Sequence, residues 1–188
     1  DLGDGETQLS LLSPEDTSPS RLRMPGANDN QQPIPTAYAV RKNKTIILGD
    51  SILGEESGNN NLKFYANFKV KPTKFIATLP EHTQETIVEM CRMGDNGIDG
   101  IVATLKQYEA KCEQEKNSSV IMSKCVREFT NSIFTNEIIK DAIGSYYNKC
   151  DEISVFIGHP TKWNQYDILL YKAMLKSSIL GKGYFACE

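Results

Sequence analysis

The first seven residues, Asp1-Leu2-Gly3-Asp4-Gly5-Glu6-Thr7, place two glycines in one short turn between β-prone segments. Glycine lets a backbone come close to a ligand, and successive main-chain N–H groups in such a turn form a concavity that accepts an anion. An acidic residue beside the turn can hold a hydrated divalent cation that neutralises phosphate charge. Glycine turn plus carboxylate therefore suits a nucleotide. The same residues also suit a plain β-hairpin, in which Asp-Gly turns are common, so the loop alone leaves both readings open.

Other chemistries find less support. The five cysteines (Cys91, Cys112, Cys125, Cys150, Cys187) are scattered without a CxxC pair, and His82 and His159 are the only imidazoles, which does not suit a zinc site. Their odd number argues against a disulfide framework. Cys112 and Cys125 fall on apolar faces of predicted helices and are expected to be buried thiols. No serine or cysteine has a histidine nearby in the pattern of an activated nucleophile. Between Lys63 and Phe75 the lysines and aromatics alternate as the two faces of a strand do, rather than forming a stacking platform for single-stranded nucleic acid.

A formal net charge of -3 and a pI near 5.5 supply no positive field for nucleic acid or anionic lipid. No stretch approaches the roughly 20 apolar residues that span a bilayer, and no charged start with an apolar run marks a secretory signal. Neither nucleic acid nor membrane is expected as a partner, and a cytoplasmic location is expected. Asp1 opens the chain inside a strand-to-turn junction, and Phe185-Ala186-Cys187-Glu188 closes it without cap or polar tail, so the sequence is expected to continue at both ends.

With 188 residues, 39% hydrophobic and 24% charged, the chain suits one folded domain or one large lobe with an inserted subdomain. Gln8 to Leu12 has the content of a short strand, and Ser13 to Gln32, rich in Pro, Ser, Asn and Asp, reads as a loop. Ala37 to Arg41 and Thr45 to Leu48 are β-prone and are joined by the reversal Lys42-Asn43-Lys44. After the polar loop Gly54 to Asn61, Pro72 biases Lys71 towards an extended conformation and discourages a helix there.

Helical spacing then dominates over Thr83 to Met93, Ile98 to Cys112, Ser118 to Asn131 and Asn136 to Asn148. Ile153-Ser154-Val155-Phe156-Ile157 reads as a strand buried on both faces. Thr161 is the expected cap of a last helix whose inward stripe is Tyr166, Leu169, Leu170, Ala173, Met174 and Ser177. Tyr184 to Cys187 begins a final strand, and a right-handed crossover would make the last two strands parallel or near neighbours in the amino-terminal sheet.

That order, a DxG loop between the first strands, a helical middle and a closing β-α-β segment, resembles the superfamily of actin, sugar kinases and DnaK-type chaperones. Pro33-Ile34-Pro35-Thr36-Ala37-Tyr38-Ala39 followed by Gly49-Asp50 resembles the chaperone segment in which a proline–threonine turn feeds a strand. Val155-Phe156-Ile157-Gly158-His159-Pro160-Thr161-Lys162-Trp163 resembles the chaperone strand-to-helix corner, continued by Ser177-Ser178-Ile179-Leu180-Gly181. The resemblance implies an α/β, ribonuclease-H-like (actin-like ATPase) lobe, with a mixed sheet, flanking helices and a mostly helical insertion. Residues 1–53 would form the amino-terminal strands, 54–131 the inserted subdomain, and 132–188 the return to the core.

The resemblance further implies ATP and Mg2+ as cofactors, ATP hydrolysis in the intact protein, and client or regulatory proteins as partners beside ATP and ADP. Asp1 matches the aspartate that orders the magnesium shell through water, and the Gly3-Asp4-Gly5 backbone, with Glu6 and Thr7, matches the phosphate contacts. Asp4 departs from the chaperone threonine and would repel phosphate unless a metal or a turned-away rotamer intervenes. Lys69 matches the lysine that reaches the γ-phosphate, with Lys71 the second choice. A solvated lysine on a strand edge is the competing reading of Lys69. Glu188 matches a glutamate that helps hold water and metal, against a simple chain-end carboxylate. The second phosphate loop and the adenosine motif have no counterpart, so hydrolysis by this chain alone is expected to be weak or absent. A catalytically inactive interaction module and an actin-like filament subunit are the alternatives.

Overall fold

The chain reverses sharply after Arg41. Lys44 takes a positive φ of 68°, its N–H donates to the Arg41 carbonyl at 2.8 Å, and the Arg41 N–H donates to the Thr45 carbonyl at 2.9 Å. The Asn43 side chain accepts from the Thr45 N–H, completing the expected Lys42-Asn43-Lys44 turn. A computed structural model describes residues 2–3, 5–13, 15–28, 32–52, 62–117, 120–147, 154–182 and 184–186. The chain is mixed α/β, with small sheets and six α-helices among the described residues.

In chain order the elements are β1 (Glu6–Thr7), β2 (Ser10–Leu11), β3 (Ser20–Arg21), β4 (Ile34–Pro35), β5 (Tyr38–Arg41), β6 (Ile46–Leu48) and β7 (Leu62–Tyr65). There follow α1 (Pro72–Ile76), α2 (Glu81–Arg92), α3 (Ile98–Gln114), α4 (Met122–Phe134), α5 (Glu137–Tyr147), β8 (Ser154–Phe156), α6 (Gln165–Lys176) and β9 (Tyr184–Ala186). They divide into two compact units. One holds residues Asp1–Asn67 and Phe129–Ser154; the other holds Phe68–Glu128 and Val155–Glu188.

In the first unit, β5 lies between β6 and β7, antiparallel to both, with Tyr38 opposite Leu48 on one side and Tyr65 on the other. Tyr38 is fully buried and stacks on Tyr65 with ring centroids 4.7 Å apart. Phe129 meets Tyr38 at 6.4 Å, and Met24, Ile34, Ala39 and Ile47 complete this core. Such a cross-strand aromatic pair contributes about 0.5–1 kcal/mol beyond its burial. Gly26 (φ 77°) and Gly49 (φ 62°) let two loops touch backbone to backbone: a Cβ on Gly26 would sit 2.1 Å from the Leu48 carbonyl oxygen. The Asp50 N–H donates to the Gly26 carbonyl across this contact at 2.9 Å.

In the second unit, α2, α3 and α6 pack together and α1 packs on α6, burying Phe75, Ile87, Cys91, Ile101, Leu105, Leu170 and Met174. Cys112 and Cys125 are buried thiols, as expected, and Cys91 is a third. Burial pushes the Cys91 thiol pKa up, which keeps it protonated and unreactive. Buried Glu109 ties α3 to α4, accepting from the Ser123 hydroxyl at 2.5 Å and from Arg127 at 2.6 Å.

Several sequence expectations are corrected. Residues 13–32 are not loop throughout, because β3 pairs antiparallel with β2. Lys71 is extended (φ -57°, ψ 122°), as Pro72 requires, yet Pro72 starts α1 rather than preventing a helix: proline at a first helical position gives up an N–H that has no partner there. Phe156 is exposed, so β8 is not buried on both faces. Tyr166 is exposed as well, outside the inward stripe of α6. The cap of α6 is Asn164, not Thr161. Finally, β8 and β9 neighbour each other in a two-stranded sheet of their own, separate from the amino-terminal sheets. A strand-helix-strand order makes two strands neighbours without choosing the sheet they join. No helix among the described residues is long and apolar enough to cross a membrane.

Candidate phosphate-binding turn

The opening residues form a tight hairpin. Leu2 bridges Thr7, and the Gly3 N–H donates to the Glu6 carbonyl at 2.9 Å. Beyond the turn, β1 pairs antiparallel with β4, setting Glu6 opposite Pro35 and Thr7 opposite Ile34. Thr36 then closes on the turn from behind: its N–H donates to the Gly5 carbonyl at 2.9 Å and its hydroxyl to the Gly3 carbonyl at 2.9 Å. Thr7 and Thr36 are both buried, with hydroxyl oxygens 2.8 Å apart.

The two glycines serve different needs. A Cβ on Gly3 would lie 2.5 Å from the Glu6 carbonyl oxygen, whereas nothing lies within 4 Å of a Cβ on Gly5. Gly3 is therefore required by the turn itself, and exposed Gly5 faces open space in which another group can approach the backbone. Gly3→Ala is expected to cost about 2 kcal/mol and Gly5→Ala less than about 0.5 kcal/mol, measured by thermal unfolding of the two variants side by side.

Of the residues singled out from sequence, Gly3, Gly5, Glu6 and Thr7 lie together in this hairpin, with Glu6 exposed and the Thr7 hydroxyl turned inward to Thr36. Main-chain groups, not the Thr7 hydroxyl, are what this turn offers a ligand. Asp1, Asp4 and Glu188 lie outside the described residues. Among the described residues no group of three or more His, Cys, Asp or Glu side chains could hold a metal ion.

Lys69 belongs to the second unit and is buried, only 6% exposed, which excludes the solvated strand-edge lysine. Its ammonium lies 5.1 Å from the ring centre of Tyr171 and 5.7 Å from that of Trp163. The two rings meet edge to face at 5.0 Å, and the His159 ring is parallel to that of Trp163 with centroids 6.4 Å apart. Aromatic faces compensate part of the cost of removing a cation from water, about 2 kcal/mol where the site is desolvated. Lys71, the second choice, is committed elsewhere, to an ion pair with Asp167 at 3.3 Å.

Asp167 was not foreseen from sequence. Fully buried, it accepts from the Thr73 N–H at 3.0 Å, the Thr73 hydroxyl at 2.7 Å and the Asn164 N–H at 3.0 Å. Asn164 accepts in return from the Asp167 N–H at 2.9 Å, a reciprocal cap at the start of α6. Burial alone would raise the carboxyl pKa, but the hydrogen bonds from Thr73 and Asn164 and the contact with Lys71 outweigh it and hold the pKa below the ordinary value. The signal was present as Asn164-x-x-Asp167, a polar cap with an acidic residue three positions on. Thr36 was noted as part of a turn, but nothing in its spacing pointed to the Gly3 carbonyl. No protein-family model, curated protein or solved structure matches the chain.

Proposed function

We propose that this chain is an ATP-binding lobe of a chaperone-like or actin-like ATPase, with a ribonuclease-H-like core whose cleft is completed by a second lobe. The observation that carries the reading is the opening hairpin: its carbonyls at Gly3 and Gly5 are engaged by Thr36, and the backbone at Gly5 stands in open space. A turn whose oxygens are tied back and whose tip is bare can receive the oxygens of a phosphate group. The turn built by Gly3, Gly5, Glu6 and Thr7 would seat the phosphates of ATP against main-chain N–H groups other than that of Gly3, which is spent on the Glu6 carbonyl, and Asp1 and Glu188 would order the water shell of Mg2+. Bound magnesium supplies neutralisation of phosphate charge. On the same reading Lys69, whose ammonium lies over the rings of Tyr171 and Trp163, would be the cation for charge developing on the transferred group, the usual role of a fixed lysine in phosphoryl transfer.

Calorimetric titration of Mg-ATP into the protein at its full natural length, beside its Asp1→Ala and Lys69→Ala variants, tests this reading. Saturable binding is expected, weakened by Asp1→Ala. No heat of binding in the full-length wild type would sink the ATPase and leave an interaction module.

A further inference from the structure

We propose that Thr36 is the positioning residue of the opening turn, acting through a directed relay of hydroxyl groups that runs from Thr7 through Thr36 to the Gly3 carbonyl. The inference rests on the nucleotide reading and deepens it: the element that shapes the phosphate contacts is the side chain that directly follows β4, 33 positions along the chain from Gly3.

The direction of the relay follows from counting protons. A threonine hydroxyl has one proton to donate and two lone pairs with which to accept. The Thr36 proton is used on the Gly3 carbonyl at 2.9 Å. Its contact with the Thr7 hydroxyl at 2.8 Å must then be made by the Thr7 proton. Thr36 also spends its N–H on the Gly5 carbonyl. One residue thus holds two carbonyls of the turn, one by side chain and one by main chain.

The electrostatic consequence bears on an anion. Carbonyl oxygens carry the negative end of each peptide dipole, and in a trans peptide the N–H points the opposite way from the C=O. Anchoring Gly5's carbonyl on Thr36 orients the N–H of that same peptide away from Thr36. Anchoring Gly3's carbonyl removes a second oxygen from the set a phosphate would meet. Both hydroxyls are buried, with Thr36 3% and Thr7 2% exposed, so water does not compete for the relay. Thr36 itself touches no ligand in this scheme.

Amide NMR of the 188-residue chain, titrated with Mg-ATP and separately with Mg-pyrophosphate, tests the proposal on Thr36→Val, Thr36→Ser and Thr7→Val. Thr36→Val keeps the shape and removes the hydroxyl. It is expected to weaken both ligands about tenfold and to speed hydrogen exchange at the Gly3 N–H. Thr36→Ser should restore both properties to within about twofold, and Thr7→Val, which leaves the bond to Gly3 in place, should weaken binding by only about threefold. Should the valine variant fail to fold, Thr36→Cys takes its place, with a weak donor and an expected intermediate loss. Wild-type affinity in Thr36→Val or Thr36→Cys, or failure of serine to rescue, overturns the relay while leaving the nucleotide reading intact. A wild-type chain that responds to neither ligand overturns both.

Discussion

Replacing Asp167 by alanine is expected to cost about 3 kcal/mol of folding stability, measured by urea unfolding. The carboxylate is fully buried and caps two helices at once, its own α6 through Asn164 and α1 through the Thr73 N–H and hydroxyl. Alanine would leave two backbone donors without this acceptor and Lys71 without its partner. Lys71 is 36% exposed, so water screens much of the ion pair, and most of the loss comes from the hydrogen bonds.

The same group makes stability depend on pH, with a definite sign. The folded-state pKa of Asp167 lies below its unfolded value, so the contribution is complete above the unfolded pKa and disappears as pH falls through the folded one. Asp167→Asn should therefore differ from wild type by a constant amount above about pH 5, with the difference shrinking below about pH 4. A difference that grew on acidification would contradict the assignment.

Lys69→Met carries the largest expected effect on activity. Methionine fills the space over the rings of Tyr171 and Trp163 and makes favourable sulfur–aromatic contacts, so unfolding should move by less than about 1.5 kcal/mol. On the proposed ATPase reading, hydrolysis by the parent protein should nevertheless fall by about 10²- to 10³-fold, the usual cost of removing a group that stabilises transition-state charge. A lysine that served packing alone would show the opposite, a loss of stability with turnover per folded molecule unchanged. Trp163 is the only tryptophan in the chain, so its fluorescence reports directly whether the cage survives the substitution.

Much of this organisation was legible from the sequence because it is local. The turn at Lys42-Asn43-Lys44 and the helices α2, α3 and α5 announce themselves through turn residues and 3.6-residue spacing, and they appear within a few residues of where that spacing puts them. The strand β2 lies within the segment Gln8 to Leu12 read as a strand, whereas β3 was harder to see, since two residues carry no alternation to detect. Thr161 and Asn164 are both good caps by type, and only the acidic partner at Asp167 separates them.

What was illegible depends on distant segments meeting. The competing reading of Lys69 as an edge lysine stayed open in the sequence because the residues that flank its ammonium, Trp163 and Tyr171, come more than ninety positions later. Its burial follows from tertiary packing that a local pattern of alternating lysines and aromatics does not encode. The candidate turn shows both sides of this divide. Gly3 and Gly5 stand out as residue types, yet Thr36, which ties their carbonyls together, emerges only once β4 is laid beside β1.

Backbone amide NMR of the wild-type 188-residue chain under increasing Mg-ATP tests the central claim most directly. The account predicts binding weaker than micromolar, with the largest shifts at Gly3, Gly5, Glu6, Thr7 and Thr36. No shifts up to millimolar ligand, or shifts that leave this turn untouched, would contradict it.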